Sequence, residues 1–439
     1  MPATLRRSFS TIAWDKSMLK PQDNERISRV GPGTPMGNLM RRYWQPALLS
    51  EELPDPDGAP VRVRVLGEDL IAFRDSTGNV GLLDAHCPHR GAPMFFGRNE
   101  ECGLRCVYHG WKFDASGACV DMPSEPPDSL FKTKVRIGAY PTYEAGGMIF
   151  AYLGPPHANP GLPDYELLRV PATSRHIGKS YQECNWLQGL EGGIDSAHFA
   201  FLHNNNLSEG SDLHFGDKRP EIEAERTAYG TAGRTIHAID DHKAFVRSNH
   251  FVLPAWSIRT LNFGLDGKPA PIPIVTGHTW APIDDEHCWV YNWIYSYDPA
   301  IPVPVEMWIA TETMHGRGPD DVVDRYYNKW TRRNEYGLDR ALQKTDSFSG
   351  IRGLNLQDVA IQEGMGPILD RSKEHLAQSD RGVILLRQRL FDAMAAVERG
   401  EAAPGADAKS HRNVRAADVL VDTNSDWRTN LELVEVARF

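Results

Sequence analysis

The chain has 439 residues, a formal net charge of -10 and a sequence pI near 5.9. This length is typical of two domains, and the acidic balance argues against nucleic acid or an anionic membrane surface as the main partner. Apolar runs are short and interrupted by charged residues, so no segment is expected to span a bilayer. Six cysteines are too few for a disulfide framework and indicate a reducing compartment, so we predict a cytoplasmic protein.

Residues 1–44 are predicted to form a polar tail, to about Asn24, and a lead-in helix. The Arg6-Arg7 pair superficially resembles an export signal. The residues after this pair supply no apolar stretch long enough for export. A short helical pattern follows at residues 36–43.

Residues 45–155 are predicted to form a small all-β domain. Apolar and charged side chains alternate at 61–65, and a turn signal at 75–79 separates two strand-like runs. The β pattern continues through 135–137 and 148–153. A proline-rich stretch from Pro155 to Pro163 then indicates a linker to a second domain.

Two short Cys/His pairs lie in this first domain, Cys87-x-His89 and Cys106-x-x-His109. Two thiolates and two imidazoles can hold either a zinc ion or a [2Fe–2S] cluster with histidines on one iron. Zinc sites usually take both cysteines from one loop and both histidines from another. Each loop here offers one sulfur and one nitrogen, which favours the cluster and leaves zinc as the alternative.

Residues 156–399 are predicted to form an α+β domain, an antiparallel sheet with helices. Helical periodicity runs from 184 to 203 and again from 322 onward, closing with 382–398. Strand-like runs lie between these helical regions, at 231–239, 244–254, 277–282 and 288–297. Residues 400–439 are predicted to form a loosely attached tail with a short strand near Leu431.

Several potential metal ligands lie at the start of this second domain. His198 and His203, with a carboxylate from elsewhere, would make the facial triad that binds ferrous iron and leaves positions open for dioxygen. On a continuous helix, Glu191, Asp195 and His198 share one face, whereas His203 lies about 140° around the axis from His198. Both histidines can therefore reach one metal only if the helix ends or distorts between them, and the asparagine run 204–206 is a plausible terminator. The alternative is that two histidines five residues apart are ordinary polar side chains.

A third iron ligand is expected from the C-terminal half. Asp358 is the best candidate because it opens a helical stretch whose Val359 and Ile361 indicate burial. The alternative is an exposed aspartate at a helix start. The competing carboxylates in this half are Asp324, Asp339, Asp346 and Asp370.

Taken together, these motifs resemble those of the Rieske non-haem iron oxygenases. The stretch from Cys87 to Trp111 is similar to the Rieske iron–sulfur loops, and residues 185–203 are similar to the family's mononuclear iron motif. The Gln-Asp-x₄-Glu context of Asp358 also resembles that of the family's carboxylate ligand. The two motifs match nearly the whole chain in order and distance, and the resemblance is closest to the phthalate 4,5-dioxygenase-like branch, whose oxygenase is a single α-type subunit.

This resemblance implies an N-terminal all-β Rieske domain followed by a helix-grip catalytic domain. It implies a [2Fe–2S] cluster bound by both Cys/His pairs and a mononuclear Fe(II) bound by His198, His203 and Asp358. It further implies that Asp195 hydrogen-bonds an iron-ligand histidine and, across a subunit boundary, a Rieske histidine of the next chain. Such a heterologous contact closes as a ring, so a homotrimer or a stacked hexamer is expected.

The function implied is that of a terminal oxygenase that uses dioxygen and electrons from a separate NAD(P)H-dependent reductase, since no Gly-x-Gly-x-x-Gly motif is present. The leading hypothesis is dihydroxylation of an aromatic carboxylate such as phthalate, and the alternative is O-demethylation of a methoxylated aromatic acid. A third hypothesis is an electron-transfer or zinc-structured binding protein.

Four side chains are candidate substrate contacts. Arg226 and Arg259 could pair with a carboxylate, and Trp256 and Trp293 could line an aromatic pocket. The alternatives are a solvated surface for the arginines and core packing for the tryptophans.

Overall fold

The computed structural model describes residues 18–205, 217–263, 268–298, 300–423, 425, 427–432, 437 and 439. The Arg6-Arg7 pair lies outside these residues. Within them, no helix combines the length and the apolar character that crossing a bilayer requires. The predicted order of an all-β domain followed by an antiparallel sheet with helices is confirmed.

The segment before the first domain is folded, so the prediction of a polar tail to about Asn24 is wrong from Pro21 onward. It contains helices α1 (Pro21–Ser28) and α2 (Pro35–Met40). Asn24 is buried, and its Nδ2 donates to the carbonyl of Leu369, 2.9 Å away. A polar residue can be buried here because the C-terminal half supplies its hydrogen-bond partners.

The first domain consists of three small antiparallel sheets, ordered β1-β10-β9, β2-β3-β4 and β5-β6-β7-β8. Their strands are β1 (Gln45–Leu49), β2 (Val61–Val65), β3 (Glu68–Arg74), β4 (Val80–Asp84), β5 (Arg98–Glu100), β6 (Gly103–Arg105), β7 (Lys112–Phe113), β8 (Cys119–Asp121), β9 (Thr142–Ala145) and β10 (Met148–Ala151). The turn predicted at 75–79 forms because the Asp75 carboxylate accepts from the backbone N–H groups of Thr77 and Asn79. The strand predicted at 135–137 is reduced to one bridge at Arg136, paired with Ala118.

The second domain is built on one antiparallel sheet, ordered β11-β17-β16-β15-β14-β13-β12, with β20 also pairing with β14. Its strands are β11 (Arg175–Gln182), β12 (Glu221–Arg226), β13 (Gly230–Ala238), β14 (Lys243–Val252), β15 (Trp256–Thr260), β16 (Ile274–Pro282), β17 (Cys288–Ser296) and β20 (Asp418–Asp422). The four strand-like runs predicted from the sequence correspond to β13, β14, β16 and β17. The prediction missed β11, β12 and β15. The two edge strands among them, β11 and β12, lack a clear apolar alternation.

The helices of the second domain follow or interrupt this sheet. They are α3 (Glu166–Arg169), α4 (Trp186–Ile194), α5 (Phe199–Leu202), α6 (Val305–Met314), α7 (Leu342–Thr345), α8 (Leu354–Gly364), α9 (Arg381–Glu398), α10 (Ala408–His411) and α11 (Trp427–Glu432). The helical pattern predicted from 322 onward begins instead with a small hairpin, β18 (Val322–Val323) and β19 (Tyr327–Asn328). The helix predicted at 382–398 corresponds to α9, whose apolar stripe is buried.

The two faces of the large sheet are buried against different partners. Alternate side chains of β16 and β17, including Trp280 and Val290, face the core that α4 and α9 share. The intervening ones, including Tyr291, belong to a second core together with Phe150 of the first domain. A buried ion pair between the Lys179 ammonium and Glu52 spans this junction of the domains.

The residues after Gly400 are held by the second domain and by the segment before the first domain, so the prediction of a loosely attached tail is wrong. The guanidinium of Arg415 forms a buried ion pair with Glu166, and the Tyr43 hydroxyl donates to the carbonyl of Pro404. The ordered strand is β20, and the residues around Leu431 are helical in α11. Sequence composition did not reveal this because the partners lie more than two hundred residues earlier in the chain.

Candidate metal centres and adjoining cavity

The histidines of the second domain lie at the two ends of the one-turn helix α5. Helix α4 ends at Ile194 because Asp195 adopts an extended conformation, and its Oδ1 accepts from the N–H of Ala197 at 2.8 Å. This local hydrogen bond competes with continuation of the helix. The helical run is therefore interrupted before His198 and ends again at Leu202, before His203, as the prediction required. Asp195 does not share a continuous helical face with His198. Of the asparagine run proposed as a terminator, Asn206 lies outside the described residues.

The side chains of His198, His203 and Asp358 converge on one point. Their nearest ligand atoms all lie within 4.8 Å of one another. Nε2 of His198 is 3.5 Å from Oδ1 of Asp358, and Nε2 of His203 is 3.4 Å from the same oxygen. Two imidazole nitrogens and one carboxylate in this arrangement fit a ferrous ion with open coordination positions.

Hydrogen bonds fix both histidine rings in the orientation that a metal requires. Nδ1 of His198 lies 2.9 Å from Oδ2 of Asp195. Nδ1 of His203 lies 2.8 Å from Oε1 of Gln357, whose Nε2 donates to the carbonyl of Ile351. Both Nδ1 atoms therefore carry a hydrogen, which leaves both Nε2 atoms, on the side of Asp358, as the positions for a metal. No role was predicted for Gln357, although its position directly before Asp358 was a usable signal.

The electrostatics of this group favour a cation. Burial would lower the pKa of His198, but hydrogen bonds to Asp195 and Asp358 raise that pKa to about 9. Burial would raise the pKa of Asp358, yet the two histidines hold it well below the usual range. Below pH 9, metal binding at His198 therefore displaces a proton, so affinity for the metal is expected to weaken as the pH falls.

The two Cys/His loops of the first domain are built alike. In each, the cysteine N–H donates across the loop, Cys87 to the carbonyl of Ala92 and Cys106 to that of Trp111, both at 2.8 Å. A glycine with positive φ, Gly91 or Gly110, then donates back to the cysteine carbonyl.

These loops present two buried sulfurs and two accessible imidazoles. Both cysteines are 2% exposed, and burial together with Cys106 raises the pKa of the Cys87 thiol to about 11. The rings of His89 and His109 lie 4.4 Å apart, centroid to centroid, and His89 is exposed. The donor set fits a two-iron cluster with the sulfurs inward and the histidines outward.

A polar cavity adjoins the His198, His203 and Asp358 group on the helix-facing side of the large sheet. Its lining includes Arg259, His278, Trp280 and Asn292 as well as His198 and Asp358. Arg259 lies on β15 three residues after Trp256, so the two side chains point to opposite faces of the sheet.

Three of the four predicted substrate contacts do not reach this cavity. Trp256 and Trp293 lie on the opposite face of the sheet, within the core shared with the first domain. Trp256 stacks on Tyr165 at a centroid distance of 4.4 Å. Arg226 is half exposed and pairs with Asp392 on α9. The period-two rule could have separated Trp256 from Arg259 had β15 been predicted.

Arg259 is largely enclosed in this cavity and has no hydrogen-bond partner among the described residues. Among the residues that the structure describes, none forms a hydrogen bond with its guanidinium, and its Nε is inaccessible to solvent. Burial lowers the pKa of Arg259 to about 10, and the nearby cation Arg247 adds to this effect. The neighbouring Arg317, which the sequence did not single out, is already paired with Glu312. Among the described residues no carboxylate forms an ion pair with Arg259, and Asp358 acts on its charge only from a distance.

Comparisons with known proteins match both parts of the chain. Residues 43–143 match the model of the Rieske [2Fe-2S] domain, and residues 151–437 match that of the LigXa C-terminal domain like family. The chain is 39% identical to the 3-chlorobenzoate-3,4-dioxygenase oxygenase subunit of Comamonas testosteroni, over 94% of this chain and 98% of that protein. It is 37% identical to the phthalate 4,5-dioxygenase oxygenase subunit of Pseudomonas putida, over 94% of each chain.

One further relative and one solved structure are also similar to this chain. The 5,5'-dehydrodivanillate O-demethylase oxygenase subunit of Sphingobium sp. (strain NBRC 103272 / SYK-6) is 34% identical over 88% of this chain and 82% of that protein. The crystal structure of dicamba monooxygenase bound to dicamba superposes with a TM-score of 0.60 at 18% identity, covering 82% of this chain and 99% of that one. At that identity the structural match bears on the fold alone.

Proposed function

Since this chain belongs to the Rieske non-haem iron oxygenases, as an α-type oxygenase subunit, we propose that it oxygenates an aromatic carboxylate held by Arg259. Enzymes of this family are oxidoreductases that incorporate dioxygen, and they take electrons from a separate reductase. Their cofactors are a Rieske [2Fe–2S] cluster and a mononuclear iron. For this chain we propose an NAD(P)H-dependent reductase as the electron donor.

We assign the cluster to Cys87, His89, Cys106 and His109, and the iron to His198, His203 and Asp358. When bound, iron supplies the activation of dioxygen that no side chain can perform. Asp195 and Gln357 act by holding the two histidine rings, so that their Nε2 atoms are available as ligands without reorganisation.

The observation that carries the substrate proposal is the unpaired guanidinium of Arg259 in the cavity that adjoins Asp358. A buried charge without a partner is costly, and a bound carboxylate would supply the missing partner through two parallel hydrogen bonds. Because Arg317 is engaged by Glu312, the cavity offers one free arginine, enough for one carboxylate. A carboxylate held there would leave the aromatic ring close to the His198, His203 and Asp358 group.

Two reactions are possible for such a substrate. The one that the sequence favours is ring dihydroxylation of a phthalate-like acid. Two of the relatives are named as dioxygenases of aromatic carboxylates. O-demethylation of a methoxylated aromatic acid is the second candidate, favoured by the relative named as an O-demethylase. Turnover under ¹⁸O₂ separates them, since dihydroxylation gives a cis-diol with two labelled oxygens and demethylation gives formaldehyde and a phenol.

We further propose a homotrimer, or a stacked hexamer, in which the cluster of one chain serves the iron of its neighbour. In this chain His89 is exposed. Within the described ranges no hydrogen bond joins either Rieske histidine to Asp195 or to the iron-ligand side chains. Both features support a partner chain that bridges the two centres.

Replacing Arg259 with glutamine is expected to raise KM for aromatic carboxylates by about 10- to 100-fold, the loss typical of hydrogen bonds to a charged group. KM for the methyl ester of the same acid should change little, because an ester carries no charge for the guanidinium to bind. The measurement is oxygen uptake coupled to product, with a surrogate reductase and a panel of aromatic acids.

The matched control is Arg226→Gln, which removes an arginine that pairs with Asp392 at the surface and should leave KM unchanged. Equal KM values for Arg259→Gln and the native enzyme would contradict the proposed substrate class. A preparation that contains zinc but no iron would instead support the zinc-structured binding protein.

A further inference from the structure

A short hydrogen-bonded relay fixes the protonation of His278 in the cavity. The Nδ2 of Asn292 lies 3.2 Å from the carbonyl of Val290. A carbonyl only accepts hydrogen bonds, so the amide nitrogen of Asn292 must face it and Oδ1 must face the other way. That Oδ1 lies 2.7 Å from Nδ1 of His278. The Nδ1 atom of His278 therefore carries the hydrogen.

The other ring nitrogen of His278 is consequently a bare acceptor. His278 is only 5% exposed, and it lines the cavity together with Arg259. Across the described stretches of the chain, no group donates to its Nε2. Burial, reinforced by Arg259 and Arg317, keeps the pKa of His278 well below its usual value. The ring is therefore neutral near pH 7 and presents a lone pair at Nε2.

A lone pair beside a guanidinium selects a particular pattern of substrate groups. Arg259 requires an acceptor with negative charge, whereas Nε2 of His278 requires a donor. A second carboxylate at Nε2 would place two acceptors against each other and leave both without a hydrogen. A hydroxyl or amino group on the ring satisfies Nε2 instead.

We infer that the substrate is an aromatic acid that carries a ring hydroxyl or amino group, and that His278 determines this specificity by accepting a hydrogen bond at Nε2. This inference rests on the proposed function, because Arg259 must hold the carboxylate for the ring to lie against His278. It therefore revises the phthalate-like preference taken from the sequence, because phthalate carries carboxylates alone and offers Nε2 no donor.

The test compares binding of benzoate and phthalate with that of the three hydroxybenzoates and the three aminobenzoates. Dissociation constants are measured by anaerobic calorimetry on the fully loaded enzyme. We expect at least one hydroxy or amino isomer to bind about 10-fold more tightly than benzoate, the effect of one well-formed hydrogen bond with a buried partner. The preferred series identifies the donor as a hydroxyl or an amine.

Two substitutions of His278 separate specificity from structure. His278→Asn can still donate to Asn292 but has no atom near the position of Nε2, so the preference over benzoate should disappear. His278→Gln can place its amide oxygen near that position and should retain part of the preference. Asn292→Leu releases the tautomer of His278 and should weaken the preference. The visible spectrum of the cluster reports whether each variant is folded and loaded.

The outcomes distinguish failure of the proposed function from failure of the inference about His278. If benzoate and its derivatives all fail to bind the native enzyme, or bind Arg259→Gln equally well, the proposed function fails. If they bind through Arg259 but no hydroxy or amino isomer is preferred, only the inference about His278 is overturned. The same holds if His278→Asn keeps the full preference.

Discussion

Asp358→Ala is expected to lower turnover by more than about 100-fold, beyond the 10- to 100-fold loss usual for residues that only orient a ligand. The side chain removed is the carboxylate on which His198 and His203 converge at 3.5 and 3.4 Å. Two neutral imidazoles alone hold ferrous iron poorly, because the carboxylate supplies the negative charge of the triad. The measurement combines iron content with oxygen uptake coupled to product.

The cluster should survive this substitution, since Cys87 and Cys106 lie in the other domain. The Asp358→Ala protein should therefore keep its cluster absorbance and the electron paramagnetic resonance signal of the reduced cluster. Asp370→Ala is the matched control, because Asp370 is an exposed aspartate of the same half of the chain and accepts hydrogen bonds from Ser372. Full turnover in Asp358→Ala would exclude Asp358 as an iron ligand.

Asp195→Asn is expected to slow turnover by about 10- to 100-fold, the usual consequence of replacing the partner of a metal-ligating histidine. Burial would raise the pKa of Asp195, but the His198 ring and the N–H of Ala197 lower it below its usual value, so it acts as a carboxylate. Asparagine can keep the bond from Ala197, yet its NH₂ would face Nδ1 of His198. The proton of His198 would then move to Nε2, which removes the lone pair that faces Asp358.

Gln357→Leu is the control that separates a loss of histidine orientation from a loss of electron transfer between the cluster and the iron. Both substitutions remove the hydrogen-bond partner of one iron-ligand histidine, so both should weaken iron binding. If Asp195 also couples the iron to the cluster of the next chain, cluster reoxidation by dioxygen and substrate should stay slow in Asp195→Asn after iron is restored. It should recover in Gln357→Leu. Equal recovery in both variants would limit Asp195 to orienting His198.

The sequence was most informative where the chemistry is encoded by short spacings. The two Cys/His pairs could be identified because each lies within one tight loop, and the glycines with positive φ, Gly91 and Gly110, follow from the same turns. Asp358 lies 155 residues after His203, and no periodicity connects them. Its selection among competing carboxylates depended on the resemblance of its context.

The predictions that the structure contradicts failed for two physical reasons. Local side-chain hydrogen bonds override helical periodicity, as the Asx turn at Asp195 shows. Long-range partners also decide burial, as in the ion pair of Arg415 with Glu166, which holds a segment whose composition suggests a tail. Sheet position likewise determines which of the two predicted arginines reaches the cavity, since Arg226 lies on an edge strand and Arg259 on an inner one.

Metal analysis of the purified, fully loaded chain tests the central claim most directly. We expect about three irons per chain, two in a Rieske cluster and one at the His198, His203 and Asp358 group. We expect about two irons in Asp358→Ala, with the cluster signal unchanged. Two irons in the native chain, or zinc in their place, would contradict the presence of two separate iron centres.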